Sequence, residues 1–218
     1  NESVLKDLVK ADPIKKWMLQ VVHHDSPDRR GVDVALLYNP RYFRMLNVNN
    51  HRLKIEGYDS FRTRDQMCVT GILMGDTVSV IVNHWPSRMG GQAQSSYLRE
   101  AAAALSKQIA DSVWAENPHQ SVIVMGDLND DPFDKSCAEV LGAKKDKKDV
   151  DYHGFYNPFW AVSDKGIGSL GYKGSWNLFD QIILSGDLVK EGNGLMYWNC
   201  LVHNLDFLTG NEGNRQGY

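Results

Sequence analysis

Apolar and polar positions follow two periods along this chain. Between Ser3 and Asp12, Leu5, Leu8 and Val9 recur at helical spacing and Pro13 stops the pattern, which predicts a short amphipathic helix. Short β-type runs follow: WMLQVV to Val22, GVDVALLY to Tyr38, MCVTGILM to Met74 and TVSVIVNHW to Trp85. Turn-prone stretches such as SPDRRG, NPRY and MGDT separate them. Ser95 to Glu116 reads as the longest helix, with Tyr97, Ala101, Leu105, Ile109 and Val113 as an apolar stripe that needs cover from a sheet or another helix. The run SVIVM before Gly126 is continuously apolar, the mark of a strand buried on both faces. Beyond Pro132 a short helix is expected around Cys137 to Leu141. The charged cluster from Lys144 to Asp149 then reads as a solvated loop, with a phosphate-binding patch as the alternative. Two late strands, WNLFDQIILS and LMYWNCLV, precede a Gly/Asn-rich tail from Gly210 to Tyr218. Strands in hairpin-like succession with few helices predict an α+β or layered α/β sandwich rather than a regular doubly wound sheet.

Composition narrows this picture. With 218 residues, 42% of them hydrophobic, the chain can bury one sizeable core, so a single domain spanning residues 1–218 is expected, and a monomer. The formal charge of −3 excludes a general positive field for nucleic acid, but not a site that grips phosphate through a metal ion. Three widely separated cysteines, Cys68, Cys137 and Cys200, form neither a disulfide framework nor a CxxC site and read as small, partly buried apolar residues. No run is long enough to span a bilayer, and the polar start NESVLKDLVK is not signal-like. The compartment stays open, with a lean towards an extracytoplasmic protein whose signal peptide lies outside this sequence.

The chemistry gathers at strand ends. In VIVMGDLNDDP, Asp127 and Asn129 stand just past a buried strand: a carboxylate there can bind a hard cation or take a proton from water, and an amide two residues on can donate to a phosphate oxygen. Gly-Asp-x-Asn also makes ordinary turns. In VNHWPSR, His84 ends another apolar strand with Arg88 beyond it, a pair that suits phosphate, although a histidine before tryptophan also serves as a packed structural residue. Asp180 interrupts the apolar run between Phe179 and Ile182; buried there it wants a histidine, arginine or metal partner, and otherwise it is a solvent-exposed edge residue. Arg64, in RTRDQMCV, is either a surface salt-bridge residue or a ligand clamp. The late aromatics Tyr152, Phe155, Tyr156, Phe159, Trp160, Tyr172 and Trp176 fill a core or loop cluster or stack on substrate, and Tyr172 and Trp176 are the candidate substrate-binding pair.

Five segments in order, GVDVALLYNP, TRD, NHWPSR, GDLNDDP and LFDQIILS, resemble the endonuclease/exonuclease/phosphatase (DNase I-like) family over Gly31 to Ser185. That family includes pancreatic-type deoxyribonucleases, abasic-site endonucleases, inositol-polyphosphate phosphatases and sphingomyelinases. The resemblance implies a four-layer αββα sandwich of two packed mixed sheets, and a divalent cation, Mg²⁺ or Mn²⁺, with Asp127 and Asn129 as metal-side residues. It implies that Asp127 orients or deprotonates the attacking water, that Asn129 positions phosphate and His84 contacts it. Asp180 would orient a second catalytic histidine, and Arg64 and Arg88 would lie on the substrate side. The expected activity is hydrolysis of phosphodiester or phosphomonoester bonds in a nucleic acid, nucleotide, inositol phosphate or lipid headgroup. Family members also carry a metal-binding glutamate before the first segment matched here and a Ser-Asp-His strand after the last. The sequence has neither, and His203 lacks the aspartate that would precede it, so an incomplete fragment of the sandwich is expected. The alternative is a non-catalytic binding module on the same scaffold.

Overall fold

A computed structural model describes residues 1–172, 174–190 and 194–203. Its frame is a mixed seven-stranded sheet built from β3 (Phe43–His51), β4 (Gln66–Leu73), β5 (Asp76–His84), β6 (Ser121–Asp127), β7 (Ala143–Lys144), β8 (Phe155–Tyr156) and β11 (Asp180–Ser185). The order across the sheet is β3-β4-β5-β6-β11-β8-β7, with β5–β6 and β7–β8 parallel and every other pairing antiparallel. A two-stranded sheet, β1 (Gln20–His23) with β2 (Ala35–Tyr38), and a hairpin of β9 (Leu170–Tyr172) with β10 (Ser175–Asn177) complete the strands.

Alternation along the central strands fixes the layers. On β5 and β6, Ile81, Val122 and Val124 point to one face, where Ala102, Ala103, Ile109, Ala110 and Trp114 of helix α2 (Gln92–Glu116) cover them. Val78, Val80 and Val82 point to the other face and pack with Val22, Val34 and Leu36 of the β1–β2 layer. Helix α1 (Glu2–Lys10) lies against β1, so the succession is helix, sheet, sheet, helix. This is the layered α+β sandwich expected from the alternation of strands and helices, with two strands in the second sheet among the described residues.

Several elements differ from the expectation. The buried face of α2 is Ser95, Arg99, Ala102, Ala103, Ser106, Ile109, Ala110 and Trp114, which turns Tyr97 outwards. Ile109 of the expected stripe lies in the core and Ala101, Leu105 and Val113 pack against it; the face is wider than the stripe because Arg99 pairs inside with Asp130 and the Ser106 hydroxyl donates to Gln66 and Asn83. WMLQVV yields a strand only from Gln20, since Trp17 belongs to a 3₁₀ turn and Met18 adopts a left-handed conformation. GVDVALLY is extended as a strand only from Ala35. The edge strand β3 escapes a hydrophobic reading because Phe43 alone is buried along its length. WNLFDQIILS is two strands, broken at Leu178 and Phe179, whose backbone bonds to Asp131 and Leu128. LMYWNCLV is no strand; its Leu195 and Tyr197 N–H groups go to Asp76 and to the Leu188 carbonyl. The helix expected near Cys137 is a π-helical turn, Ser136–Val140. Cys68 and Cys137 are buried and Cys200 half-buried. In the lysine-aspartate cluster, Lys145 pairs with Asp164 and Lys147 lies 4.5 Å from the Tyr197 ring. The expected Gly/Asn-rich tail lies outside the described residues. No helix among the described residues is long and apolar enough to cross a membrane.

Candidate active site

Register brings three of the sequence candidates abreast. His84 pairs with Asp127 across the parallel β5–β6 ladder, and Asp180 pairs with Asp127 across the antiparallel β11–β6 ladder. They continue the parity of Val78, Val80 and Val82, so the row lies on the face turned towards the β1–β2 layer, at one end of the sheet. His84 Nε2 stands 3.5 Å from Asp127 Oδ2.

Gly126 makes this junction possible. Its φ is +131° and a side-chain Cβ there would sit 1.9 Å from the Asn83 carbonyl oxygen, so only glycine lets β6 pass β5 this closely. Beyond the strand, Asn129 adopts a left-handed φ of +52°, which asparagine tolerates, and its N–H donates to Asp127 Oδ1 at 2.9 Å. The amide Nδ2 of Asn129 donates to the Trp85 carbonyl at 2.9 Å. That bond leaves the side-chain Oδ1 as the atom a ligand can use.

Burial pushes the Asp127 carboxyl up; the Asn129 N–H opposes this, and the neighbouring Asp180 charge adds to it. Burial also drives His84 down to about 4, and the guanidiniums of Arg64 and Arg30 add to the effect. These outweigh the attraction of Asp28, so His84 is a neutral imidazole at neutral pH. Asp180 is exposed rather than buried, because it stands at the first residue of β11, and its N–H donates to the Ser169 hydroxyl at the root of the β9–β10 hairpin. No histidine or arginine among the described residues holds its carboxylate. Tyr172 and Trp176 stand on that hairpin, 56% and 42% exposed, whereas Phe155, Tyr156 and Phe159 are core residues.

The two arginines are fastened inside the protein. Arg64 is buried, not a surface residue: Nε donates to the His84 carbonyl at 3.1 Å, Nη2 to the Trp85 carbonyl at 2.5 Å and Nη1 to Asp28 at 3.1 Å. Arg88 donates from Nε to the Asn129 carbonyl at 2.8 Å, and its Nη2 reaches Asp130, Asp131 and Asp134 at 3.2, 3.3 and 2.7 Å while the guanidinium covers Phe179. Each clamps the backbone that carries a row residue.

Sequence reasoning missed the buried aspartates that do the holding. Asp131 Oδ1 accepts the Leu178 N–H at 2.7 Å, and Asp130 pairs with Arg99 and accepts from the Ser136 hydroxyl. Gln181 donates to the Asp130 carbonyl at 2.7 Å and accepts from Asn157. The DDP that ends GDLNDDP was the available signal. Asp28 in SPDRRG, the partner of Arg64, carried none.

The donor set suits a hard cation. Asp127, Asp180 and the Asn129 Oδ1 are oxygen donors, and a positive ion would relieve the destabilised charge on Asp127. No third histidine, cysteine or acidic side chain converges with His84 and Asp127 among the described residues; the one such group is His23, Asp25 and Asp33. So few side chains would leave most of a hard cation's coordination to water, and a dehydrated tetrahedral site would need more protein ligands than these.

Family-level comparison matches the endonuclease/exonuclease/phosphatase family over residues 1–218. The chain belongs to that family. Among curated protein sequences none matches. Solved structures of similar fold include truncated TDP2 from Caenorhabditis elegans, at 19% identity and a TM-score of 0.53, with 81% of this chain and 66% of that one covered. The human Nocturnin catalytic domain with bound sulfate follows at 18% identity and a TM-score of 0.53, covering 80% and 63%. A mannosyl-6-phosphatase from Bacteroides thetaiotaomicron has 16% identity and a TM-score of 0.55, covering 83% and 66%. This family chain thus spans slightly under two thirds of those structures' length.

Proposed function

We propose that residues 1–218 are one domain of a divalent-metal-dependent phosphoester hydrolase that cleaves phosphodiesters or phosphomonoesters by in-line attack of water. The observation that carries this reading is the His84–Asp127–Asp180 row at the sheet end, with Asn129 in the turn beside it. The name of the mannosyl-6-phosphatase, which states a phosphomonoester reaction, is in keeping with it.

Asp127 orients the attacking water and accepts its proton. His84, neutral in this setting, donates one ring N–H to a phosphoryl oxygen without placing a full charge beside Asp127. Asp127 and Asn129 Oδ1 would hold the cation, Mg²⁺ or Mn²⁺, which when bound neutralises charge on the phosphoryl oxygens, and Asp180 adds negative charge beside them. Arg64 and Arg88 position the row through the His84 and Asn129 carbonyls rather than gripping substrate. Exposed Tyr172 and Trp176 flank the Asp180 end as candidate walls for the rest of the substrate. Hydrolysis of bis-p-nitrophenyl phosphate with magnesium tests the proposal. Asp127→Ala should lower the rate by about a hundred-fold or more. Turnover that does not depend on magnesium would overturn the metal dependence, and no turnover by the folded wild type would leave a binding module in its place.

A further inference from the structure

Immediately beyond the His84 strand lies a second feature that the proposed chemistry does not use. A cavity of about 460 Å³ opens between the 28–30 turn, the 58–64 loop and the N-terminal end of α2, with Pro86 and Ser87 on its wall just after Trp85. Arg29, Arg30, Arg62 and Arg64 line it, and Asp28 is the one carboxylate among its described lining residues. In a chain whose formal charge is −3, this is a local excess of positive charge.

The excess is not consumed by the protein. Arg64 and Asp28 neutralise each other at 3.1 Å, and Arg30 Nε lies 3.4 Å from the same carboxylate. Arg29 and Arg62 meet no carboxylate among the described residues: Arg29 Nη2 donates to the Ser60 carbonyl at 3.2 Å, and Arg62 Nη1 donates to the Asp59 and Phe61 carbonyls at 2.6 and 2.7 Å. These bonds hold both side chains in place and leave their charge unmatched. Thr63 also lines the cavity, with its hydroxyl buried beneath the surface. Helix α2 adds its N-terminal end through Gln94 and Ser95, with no capping side chain. The remaining walls are aromatic: Tyr58 and Phe61 stand with ring centroids 5.5 Å apart, and Tyr97 faces them from α2.

We infer that this cavity is a second anion subsite, and that the substrate is a small phosphoester carrying a second phosphate, as a nucleotide-sized bisphosphate does. The inference rests on the proposed hydrolase reading. The scissile phosphate meets the His84–Asp127–Asp180 row, the second phosphate meets Arg29 and Arg62, and the carbon skeleton lies against Tyr58, Phe61 and Tyr97. The volume is that of a pocket for a compact ligand.

Isothermal calorimetry on the whole chain, with pyrophosphate as the probe and orthophosphate and an eight-residue oligothymidylate as controls, tests this. Pyrophosphate should bind at least ten-fold more tightly than orthophosphate. Arg29→Gln/Arg62→Gln should lose at least ten-fold of that affinity while keeping the wild-type circular dichroism spectrum. Equal affinity for orthophosphate, undiminished binding by the double variant, or tighter binding of the oligonucleotide than of pyrophosphate would overturn the inference. Hydrolysis of bis-p-nitrophenyl phosphate, which has no second phosphate, separates the two proposals. If wild type binds pyrophosphate as described but hydrolyses nothing, the hydrolase reading fails and the subsite stands; hydrolysis without pyrophosphate binding is the reverse.

Discussion

Arg64→Met replaces the guanidinium that ties the end of β5 to the 28–30 turn with an apolar chain of similar length. The Arg64 and Asp28 side chains are 4% and 5% exposed, and they meet at 3.1 Å. Removing one member of a buried ion pair costs about 3–5 kcal/mol, because the other charge is left without its partner. Asp28 keeps the Arg30 N–H at 2.9 Å, which favours the lower end of that range. The Trp85 carbonyl keeps Asn129 Nδ2, whereas the His84 carbonyl loses its arginine donor, a further ~1 kcal/mol. A total of about 4 kcal/mol follows, which at a urea slope of about 2 kcal/mol/M moves the unfolding midpoint down by about 2 M. Asp28→Asn/Arg64→Met should be less destabilised than the sum of its single variants by about 1–3 kcal/mol. In the same variant the His84 pKa, read from its ring-proton NMR shift, should rise, because the Arg64 cation that helps to depress it is gone. A midpoint shift below about 0.3 M, or an unmoved His84 titration, would refute the fastening role given to Arg64.

Three further outcomes follow from the site. His84 titrates at about 4 in the folded chain against an ordinary 6.5, so the unfolded state binds the extra proton first and stability falls as pH drops from about 6.5 to 4. His84→Gln in EDTA should remove about 2–3 kcal/mol of that fall in urea titrations at successive pH values, and parallel curves for the two proteins would refute it. Gly126→Ala sets a Cβ against the Asn83 carbonyl at a φ that side chains avoid; a loss of about 3–5 kcal/mol is expected by thermal unfolding, and a neutral result would mean that β5 and β6 can part without cost. Magnesium at ten times its dissociation constant should raise the melting temperature by about 3–6 °C in wild type and leave Asp127→Ala unmoved; equal shifts in both would assign the ion elsewhere.

The apolar runs of β4, β5 and β6 were legible because each is bounded by turn residues and packed on both faces, and the strand-end candidates Asp127 and His84 were legible as polar breaks in those runs. What composition could not convey is which polar groups are interior. Arg64, Arg99, Asp130 and Asp131 look like surface charges in sequence, yet each is buried because a partner distant in the chain neutralises it. The same blindness ran the other way at Asp180, where an apolar context suggested burial but the first position of β11 is open to solvent. β3 was invisible for a related reason: an edge strand needs little apolar surface, since its partner β4 supplies the ladder.

The ladder that sets Asp180 beside Asp127 joins positions about fifty residues apart, and the one that sets His84 beside Asp127 closes only after α2 has crossed over the sheet. Loop closure of that kind is slow relative to hairpin formation. The β3–β4–β5 meander can therefore form before any two members of the row are neighbours, and the row is completed only when β11 docks. A chain cut or stalled before Asp180 would hold the β3–β4–β5–β6 strands and an unfinished row, which makes the docking of β11 the step that sets the carboxyl-bearing third position in line.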